Sequence, residues 1–107
     1  MTNLKTPITI QAVTVRPTAR GVRIWLEDTA NNARLSGSGF VKGARYDRII
    51  KNGVITMTLN PEGKKKVSGK KHPIIDISAK KLEGLEAGAE VWAFYLDGEI
   101  IIGEMPQ

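Results

Sequence analysis

The stretch GFVKGARYDRIIKNGVITM, residues 39–57, decides the fold, because its pattern returns as GLEAGAEVWAFYLDGEIII in residues 84–102. A shift of 45 positions aligns the two stretches with five identities in nineteen positions, at Gly39, Gly43, Ala44, Gly53 and Ile55 of the first copy. Glycines inflate such a count, but the glycine spacing and the apolar pattern coincide as well. The repeat predicts two copies of one small unit that together bury a shared core.

Each copy reads as short strands broken by turns. Asn52-Gly53 and Asp97-Gly98 are two-residue hairpin signals between apolar runs. Upstream of them, residues 8–15 and 22–26 alternate or extend as strands, and residues 16–21 form a turn with Pro17 and Gly21. Residues 73–77 form the corresponding strand of the second copy. The predicted order in each copy is strand, turn, strand, short helical turn and hairpin.

The helical turns are expected at Ala33–Leu35 and at Ala79–Glu83, where Ser78 is a candidate N-cap. Asp28, Thr29, Asn31 and Asn32 are candidate caps for the first turn. Thirteen positions separate Leu26 from Gly39 but only seven separate Ile77 from Gly84, which places an insertion of six residues in residues 27–34.

The predicted core draws on the apolar positions of both copies. The apolar runs 91–96 and 100–102 further suggest strands that are buried on both faces. The core list is Ile24, Leu26, Phe40, Tyr46, Ile55, Met57, Ile75, Ile77, Leu85, Val91, Phe94, Ile100 and Ile102.

Composition excludes several classes of site. The 107 residues contain no cysteine, so disulfides, thiolate metal sites and a cysteine nucleophile are absent. His72 is the one histidine and most simply ends a turn. No apolar run approaches the ~20 residues of a membrane span, and the first residues lack the pattern of a signal peptide. We therefore expect a soluble cytoplasmic protein with no membrane partner.

Charge is divided along the chain. Residues 1–81 hold all sixteen Lys and Arg and five acids, a balance of +11, whereas residues 82–107 hold six acids and no base. Two basic segments stand out, one with Arg16, Arg20 and Arg23, the other with five lysines in residues 64–71. Clustered cations of this kind favour a polyanion partner. Neither segment is interleaved with aromatic residues, which argues for backbone contact over base stacking.

The repeated unit resembles the AbrB/MazE/SpoVT swapped-hairpin superfamily. The first copy is closest to SymE-like proteins, in Leu35-Ser-Gly-Ser-Gly39-Phe40-Val-Lys-Gly43-Ala-Arg-Tyr46-Asp47 and Gly53-Val-Ile55-Thr-Met57. The second copy, Ile75–Gly88 with Gly98-Glu-Ile100, is a looser match. The resemblance implies a mainly β fold, a small swapped-hairpin β-barrel of two similar units with short helical turns. Residues 1–60 would be the first AbrB-like unit and residues 61–107 the second, fused as a pseudo-dimer with one core.

The resemblance also implies double-stranded DNA binding through two basic hairpin turns, as in a transcriptional regulator or an antitoxin-like repressor. Arginine pairs bidentately with guanine, whereas lysine supplies a point charge, so the arginines would read bases and the lysines would position the backbone. Residues 34, 80 and 81, near the helical turns, would add phosphate contacts. The candidate nucleic-acid-binding residues are Arg16, Arg20, Arg23, Arg34, Lys64, Lys65, Lys66, Lys70, Lys71, Lys80 and Lys81.

Two alternatives stay open. SymE-like proteins have been associated with toxin activity toward RNA, so RNA is the second expected partner. A basic protein that binds an acidic protein partner would use the same patches, and the acidic end of this chain could itself contact a protein. Asp47 and Asp76 lie at no spacing that forms a catalytic dyad, so no catalytic residue, metal or cofactor is expected. The chain would be a monomeric pseudo-dimer or a homodimer.

Overall fold

The computed structural model of the protein describes residues 9–82 and 84–104, and it is mainly β, as predicted. One helical turn interrupts the strands. The elements are β1 (Thr9–Thr14), β2 (Arg16–Thr18), β3 (Gly21–Glu27), α1 (Arg34–Gly37), β4 (Arg45–Lys51), β5 (Val54–Leu59), β6 (Lys65–Lys66), β7 (Ile74–Ala79), β8 (Glu90–Leu96) and β9 (Glu99–Gly103).

The described strands form two antiparallel sheets. A six-stranded sheet has the order β1-β8-β9-β5-β4-β6, and a three-stranded sheet has the order β2-β3-β7. An isolated bridge between Ser68 and Ile74 links the segment after β6 to the start of β7. The inner faces of the two sheets pack against each other in one apolar cluster, so the opposite face of each sheet lies on the outside.

Strands from the two halves of the sequence pair with each other in both sheets. β9 lies between β8 and β5, β1 pairs with β8, and β3 pairs with β7. The register between β5 and β9 follows the symmetry of the repeat. Ile55 pairs with Ile102 and Met57 pairs with Ile100, and Ile100 and Ile102 are the positions that the 45-residue shift makes equivalent to Ile55 and Met57. Neither half supplies a complete sheet by itself. The division into two AbrB-like units stays a prediction.

The repeated glycines have matching backbone conformations. Gly39 and Gly84 have φ of 92° and 80°, Gly43 and Gly88 have 88° and 91°, and Gly53 and Gly98 both have 78°. These values lie in the left-handed region that favours glycine. The glycine spacing in the sequence therefore marks equivalent turns.

The core contains every predicted position except Phe94. Trp92, Phe94 and Ile101 lie at outward positions of β8 and β9 and are partly exposed, so the expectation that these strands are buried on both faces along their length is wrong. Phe94 pairs with Ile101 across the two strands, and both side chains lie on the outer face. Alternation decides the side: Val91, Ala93 and Tyr95 point inward. Buried apolar residues outside the predicted core list are Val15, Leu35, Val67, Leu82, Ala93, Tyr95 and Leu96.

The first helical turn is held by a carboxylate from outside it. Asp28 is buried, and its oxygens accept hydrogen bonds from the Leu35 N–H at 2.7 Å, the Ser36 N–H at 3.0 Å and the Ser36 hydroxyl at 2.7 Å. These N–H groups belong to the first turn of α1, where no intrahelical acceptor exists. The inserted residues thus bring Asp28 back onto the helix start.

The prediction of a second helical turn, at Ala79–Glu83, is wrong. Residues 78 and 79 end β7, and Leu82 forms an isolated bridge with Leu85 instead of a helix. Glu83 lies outside the described residues. The shorter connection closes the turn with one hydrogen bond from Leu85 N–H to the Leu82 carbonyl at 2.8 Å.

Two basic segments that were expected in turns carry short strands. Arg16–Thr18 forms β2, with Pro17 on the sheet edge, and only residues 19 and 20 form the turn to β3. Lys65–Lys66 forms β6 and pairs with Arg45 and Tyr46 of β4. Both hairpin predictions are confirmed, at Asn52-Gly53 and at Asp97-Gly98.

We expect Gly84→Ala to destabilise the protein more than Gly88→Ala. Both glycines have positive φ, so each alanine costs about 1 kcal/mol or more in backbone strain. A Cβ on Gly84 would also lie 2.8 Å from the N and Cα atoms of Gly53, whereas a Cβ on Gly88 would meet nothing within 4 Å. Chemical denaturation of both variants measures the difference. Equal losses would show that the approach of Gly84 to Gly53 is not tight in solution.

We also expect the chain to fold as a monomer and its first half not to fold. Truncation after Gly69 removes β7, β8 and β9, which leaves β1 without a strand partner and leaves β3 and β5 each without one of their two partners. Circular dichroism of residues 1–69 should lack a cooperative transition. For the full chain, the melting temperature should reach a plateau on dilution. A melting temperature that falls steadily would mean that a second chain completes the fold.

Candidate nucleic-acid interface

The outer face of the three-stranded sheet carries two arginines side by side. Arg16 on β2 pairs directly with Arg23 on β3, so their side chains leave the same face of the sheet. Like charges opposite each other destabilise a strand pair unless an anion lies close by. Asp76 on β7 supplies one, since its carboxylate lies 3.2 Å from the Nε atom of Arg23.

Arg23 is held in place by three neighbours. Besides the ion pair, its Nε–H donates to the Ser78 hydroxyl at 3.3 Å, and that hydroxyl donates to Asp76 at 2.6 Å. The guanidinium carbon lies 5.4 Å from the ring centroid of Trp25. The side chain of Arg23 remains 43% exposed. Within the described residues its terminal nitrogens have no hydrogen-bond partner, so an oriented guanidinium edge is left for a ligand.

Trp25 is the residue of this surface that sequence reasoning missed. It is 40% exposed and lies with Arg16 and Arg23 along a groove of about 500 Å³ between β1 and β3. Gln11 and Thr14 of β1 line the other side. The signal was present, because strand alternation places residues 23 and 25 on one face. The expectation that no aromatic residue accompanies the basic segments is therefore wrong for the first segment.

Lysines lie at both ends of the three-stranded sheet. At one end Lys80 follows β7, and its backbone lies close to the start of β3, since a Cβ on Gly21 would lie 2.6 Å from the Cα atom of Lys80. Lys80 and the neighbouring Lys81 line one groove with Glu86 and Glu104, whose carboxylates partly offset the positive charge of both lysines. At the other end, exposed Lys70 and Lys71 line a groove with His72, Glu27 and Ile74. Arg20 lies in the β2–β3 turn and is exposed.

The remaining predicted cations lie elsewhere. Lys64, Lys65 and Lys66 are exposed at and beside β6, on the edge of the six-stranded sheet. Lys42, which the sequence did not single out, lies between this edge and the turn that contains Lys70 and Lys71, because its Nζ donates to the Lys70 carbonyl at 2.8 Å. Lys66 and Lys42 line one groove.

Arg34 does not join the basic surface. It lies half-buried on α1, and its Nε atom is enclosed and has no hydrogen-bond partner among residues 9–82 and 84–104. Its charge acts inward, on Tyr95: burial raises the pKa of the Tyr95 hydroxyl, and the positive charge of Arg34 lowers it in part. That hydroxyl donates to Gln11 at 2.8 Å.

The two aspartates considered for an enzyme lie on different sheets. Asp76 belongs to the Arg23 network, and Asp47 on β4 accepts a hydrogen bond from the Asn60 amide at 2.8 Å. In residues 9–82 and 84–104 no group of three or more His, Asp or Glu side chains is arranged to hold a metal ion.

Comparison with known proteins gives no match to a family model, to a curated protein or to a solved structure. The resemblance to swapped-hairpin proteins therefore stays an inference from the sequence motifs. No helix among the described residues is long and apolar enough to cross a membrane.

We expect Asp76→Asn to strengthen binding of nucleic acid. The change removes the anion closest to Arg23 and raises the net charge by one unit, while the amide still reaches Ser78. Affinity at low salt should rise several-fold, measured by fluorescence anisotropy with a labelled duplex. Glu90→Gln makes the same charge change on β8 and should have a smaller effect. If both variants bind alike, only net charge matters and the Arg23 network has no special role.

Proposed function

We propose that the protein binds duplex DNA through the outer face of the three-stranded sheet, with Arg16 and Arg23 on that face and Arg20 in the adjoining β2–β3 turn. The observation that carries the proposal is the convergence of seven of the eleven predicted cations on this sheet and its ends. They are Arg16, Arg20, Arg23, Lys70, Lys71, Lys80 and Lys81.

The dimensions suit a DNA groove. β2 and β3 are two paired strands of the three-stranded sheet, and β-strand elements bind in the major groove, which is about 12 Å wide. The lysines at the two ends of β7 are separated by roughly 20 Å, because strands rise about 3.4 Å per residue. Lysines spaced in this way reach phosphates on both sides of the groove while the arginines lie over the base edges.

The arginines and lysines have different roles in this proposal. Arg23, oriented by Asp76 and Trp25, suits bidentate pairing with guanine O6 and N7. The end lysines have exposed, unfixed side chains that supply charge to phosphates. Such a division is what a sequence-reading regulator or an antitoxin-like repressor needs, and it extends the resemblance to swapped-hairpin proteins.

Trp25 supports a second candidate, the binding of single-stranded RNA or DNA. An exposed indole beside two arginines offers a base a stacking surface worth about 1–3 kcal/mol. Trp25→Ala separates the two candidates. Loss of single-strand binding with duplex affinity kept would favour RNA or single-stranded DNA as the ligand. An acidic protein partner stays as the third interpretation, favoured if no nucleic acid binds at low salt.

The proposal predicts different salt behaviour for arginine and lysine variants. Replacing Lys70, Lys71, Lys80 and Lys81 by alanine should weaken binding to all duplexes alike and reduce the salt slope by about 0.9 for each lost phosphate contact. Replacing Arg20 or Arg23 should cost about 1–3 kcal/mol on a preferred duplex and less on random DNA. Electrophoretic shifts with duplex DNA, single-stranded DNA and RNA at two salt concentrations measure both effects.

Two controls define the location of the site. Lys51→Ala removes one charge beside the β4–β5 turn, as Arg20→Ala does beside the β2–β3 turn, and should bind like the parent. Replacing Lys64, Lys65 and Lys66 tests whether the surface extends to β6. A folded protein that lacks the seven cations and still binds DNA like the parent would disprove the proposed interface.

A further inference from the structure

The outer face of the six-stranded sheet carries a row of apolar side chains across its strands. The pairing register places Ile10, Phe94, Ile101, Thr56 and Ile49 side by side on β1, β8, β9, β5 and β4. The next row, two residues along the strands, adds Ala12, Trp92, Gly103, Val54 and Lys51. We call the six large apolar residues of these rows the outer apolar face: Ile10, Ile49, Val54, Trp92, Phe94 and Ile101.

This surface is more apolar than the solvated face of an antiparallel sheet normally is. Ile49 is 64% exposed, Ile10 47%, Val54 41% and Trp92 36%. Five strands at about 4.8 Å spacing and rows about 7 Å apart give a flat footprint of roughly 400 Å². An apolar patch of this size is comparable to the largest patch of a typical monomeric protein, which is often functional.

Charges at the rim indicate what covers this face. Asp47 and Lys51 both leave β4 on the outer face, one on each side of Ile49. A two-fold axis along the row from Ile10 to Ile49 would place Lys51 of one copy opposite Asp47 of the other, twice. An axis along the strands would instead bring Glu99 of both copies together, since Glu99 lies on the central strand β9. Charge complementarity therefore selects a second copy of this chain, in one orientation.

We propose that two copies of the folded chain pack face to face through the outer apolar face, with the two-fold axis along the row that ends at Ile49. Each residue of that row then meets its own counterpart, so Ile49 packs on Ile49 and Phe94 on Phe94. Lys51, which has no ion-pair partner among the described residues, gains Asp47 of the second copy. The interface is independent of the nucleic-acid surface, which lies on the other side of the core.

Sedimentation velocity over a range of protein concentrations tests the dimer. The parent should pass from monomer to dimer as the concentration rises. Ile49→Lys should weaken dimerisation by more than about tenfold, because two like charges would face each other across the axis. Val41→Lys is the matched control, since Val41 is 48% exposed in the loop before β4, and this variant should dimerise like the parent. Circular dichroism confirms that each variant is folded.

Charge exchange tests the orientation without changing the apolar residues. Lys51→Asp and Asp47→Lys should each weaken the dimer, and the double variant should restore it to near the parent affinity. Loss of the Asn60 hydrogen bond is common to Asp47→Lys and the double variant, so restoration would report on the pairing of charges alone. A parent that stays monomeric, an Ile49→Lys variant that dimerises like the parent, or a double variant that is not restored would each overturn the proposal.

Discussion

Pairing between the two halves of the chain is the constraint on which the structure depends. β5 and β9 join at the centre of one sheet, and β3 and β7 join in the other. Each half alone would leave strand edges and a row of apolar side chains in water, and about 50 residues rarely bury enough surface to offset their chain entropy. The two halves also meet where Gly53 of the β4–β5 hairpin lies close to Gly84 in the turn after Leu82.

The sequence predicted what depends on local pattern. Glycine spacing located the turns, the Asn52-Gly53 pair located a hairpin, and alternation at residues 22–26 placed Ile24 and Leu26 inside. It failed where tertiary contacts decide. Residues 79–83 have an adequate helical pattern, but β7 extends to Ala79 to pair with Val22 of β3. Phe94 looks like a core residue until the register of β8 places it outside.

The candidate site shows the same division. Charge segregation indicated which segments are basic, and seven of the eleven cations lie around one small sheet. The sequence could not indicate the neighbours of Arg23, because Asp76 and Ser78 lie more than fifty residues away in the chain and meet it only through the β3–β7 pairing. Nor could it separate Arg34, whose Nε atom is enclosed, from cations that reach solvent.

Each sheet packs one face on the core and leaves the other face outside, and the two outer faces differ in their charge and apolar content. The outer face of the three-stranded sheet carries charged side chains, and its paired arginines, Arg16 and Arg23, need an anion close by. The positive charge of this face opposes close contact with a second copy. The six-stranded sheet has an apolar centre with Asp47 and Lys51 at its rim, which suits a partner with the same surface. Since the faces lie on opposite sides of the core, a dimer through the larger sheet would direct its two basic surfaces away from each other. Such a dimer would hold two separate duplexes, whereas two half-sites on one straight duplex would need both basic surfaces on the same side.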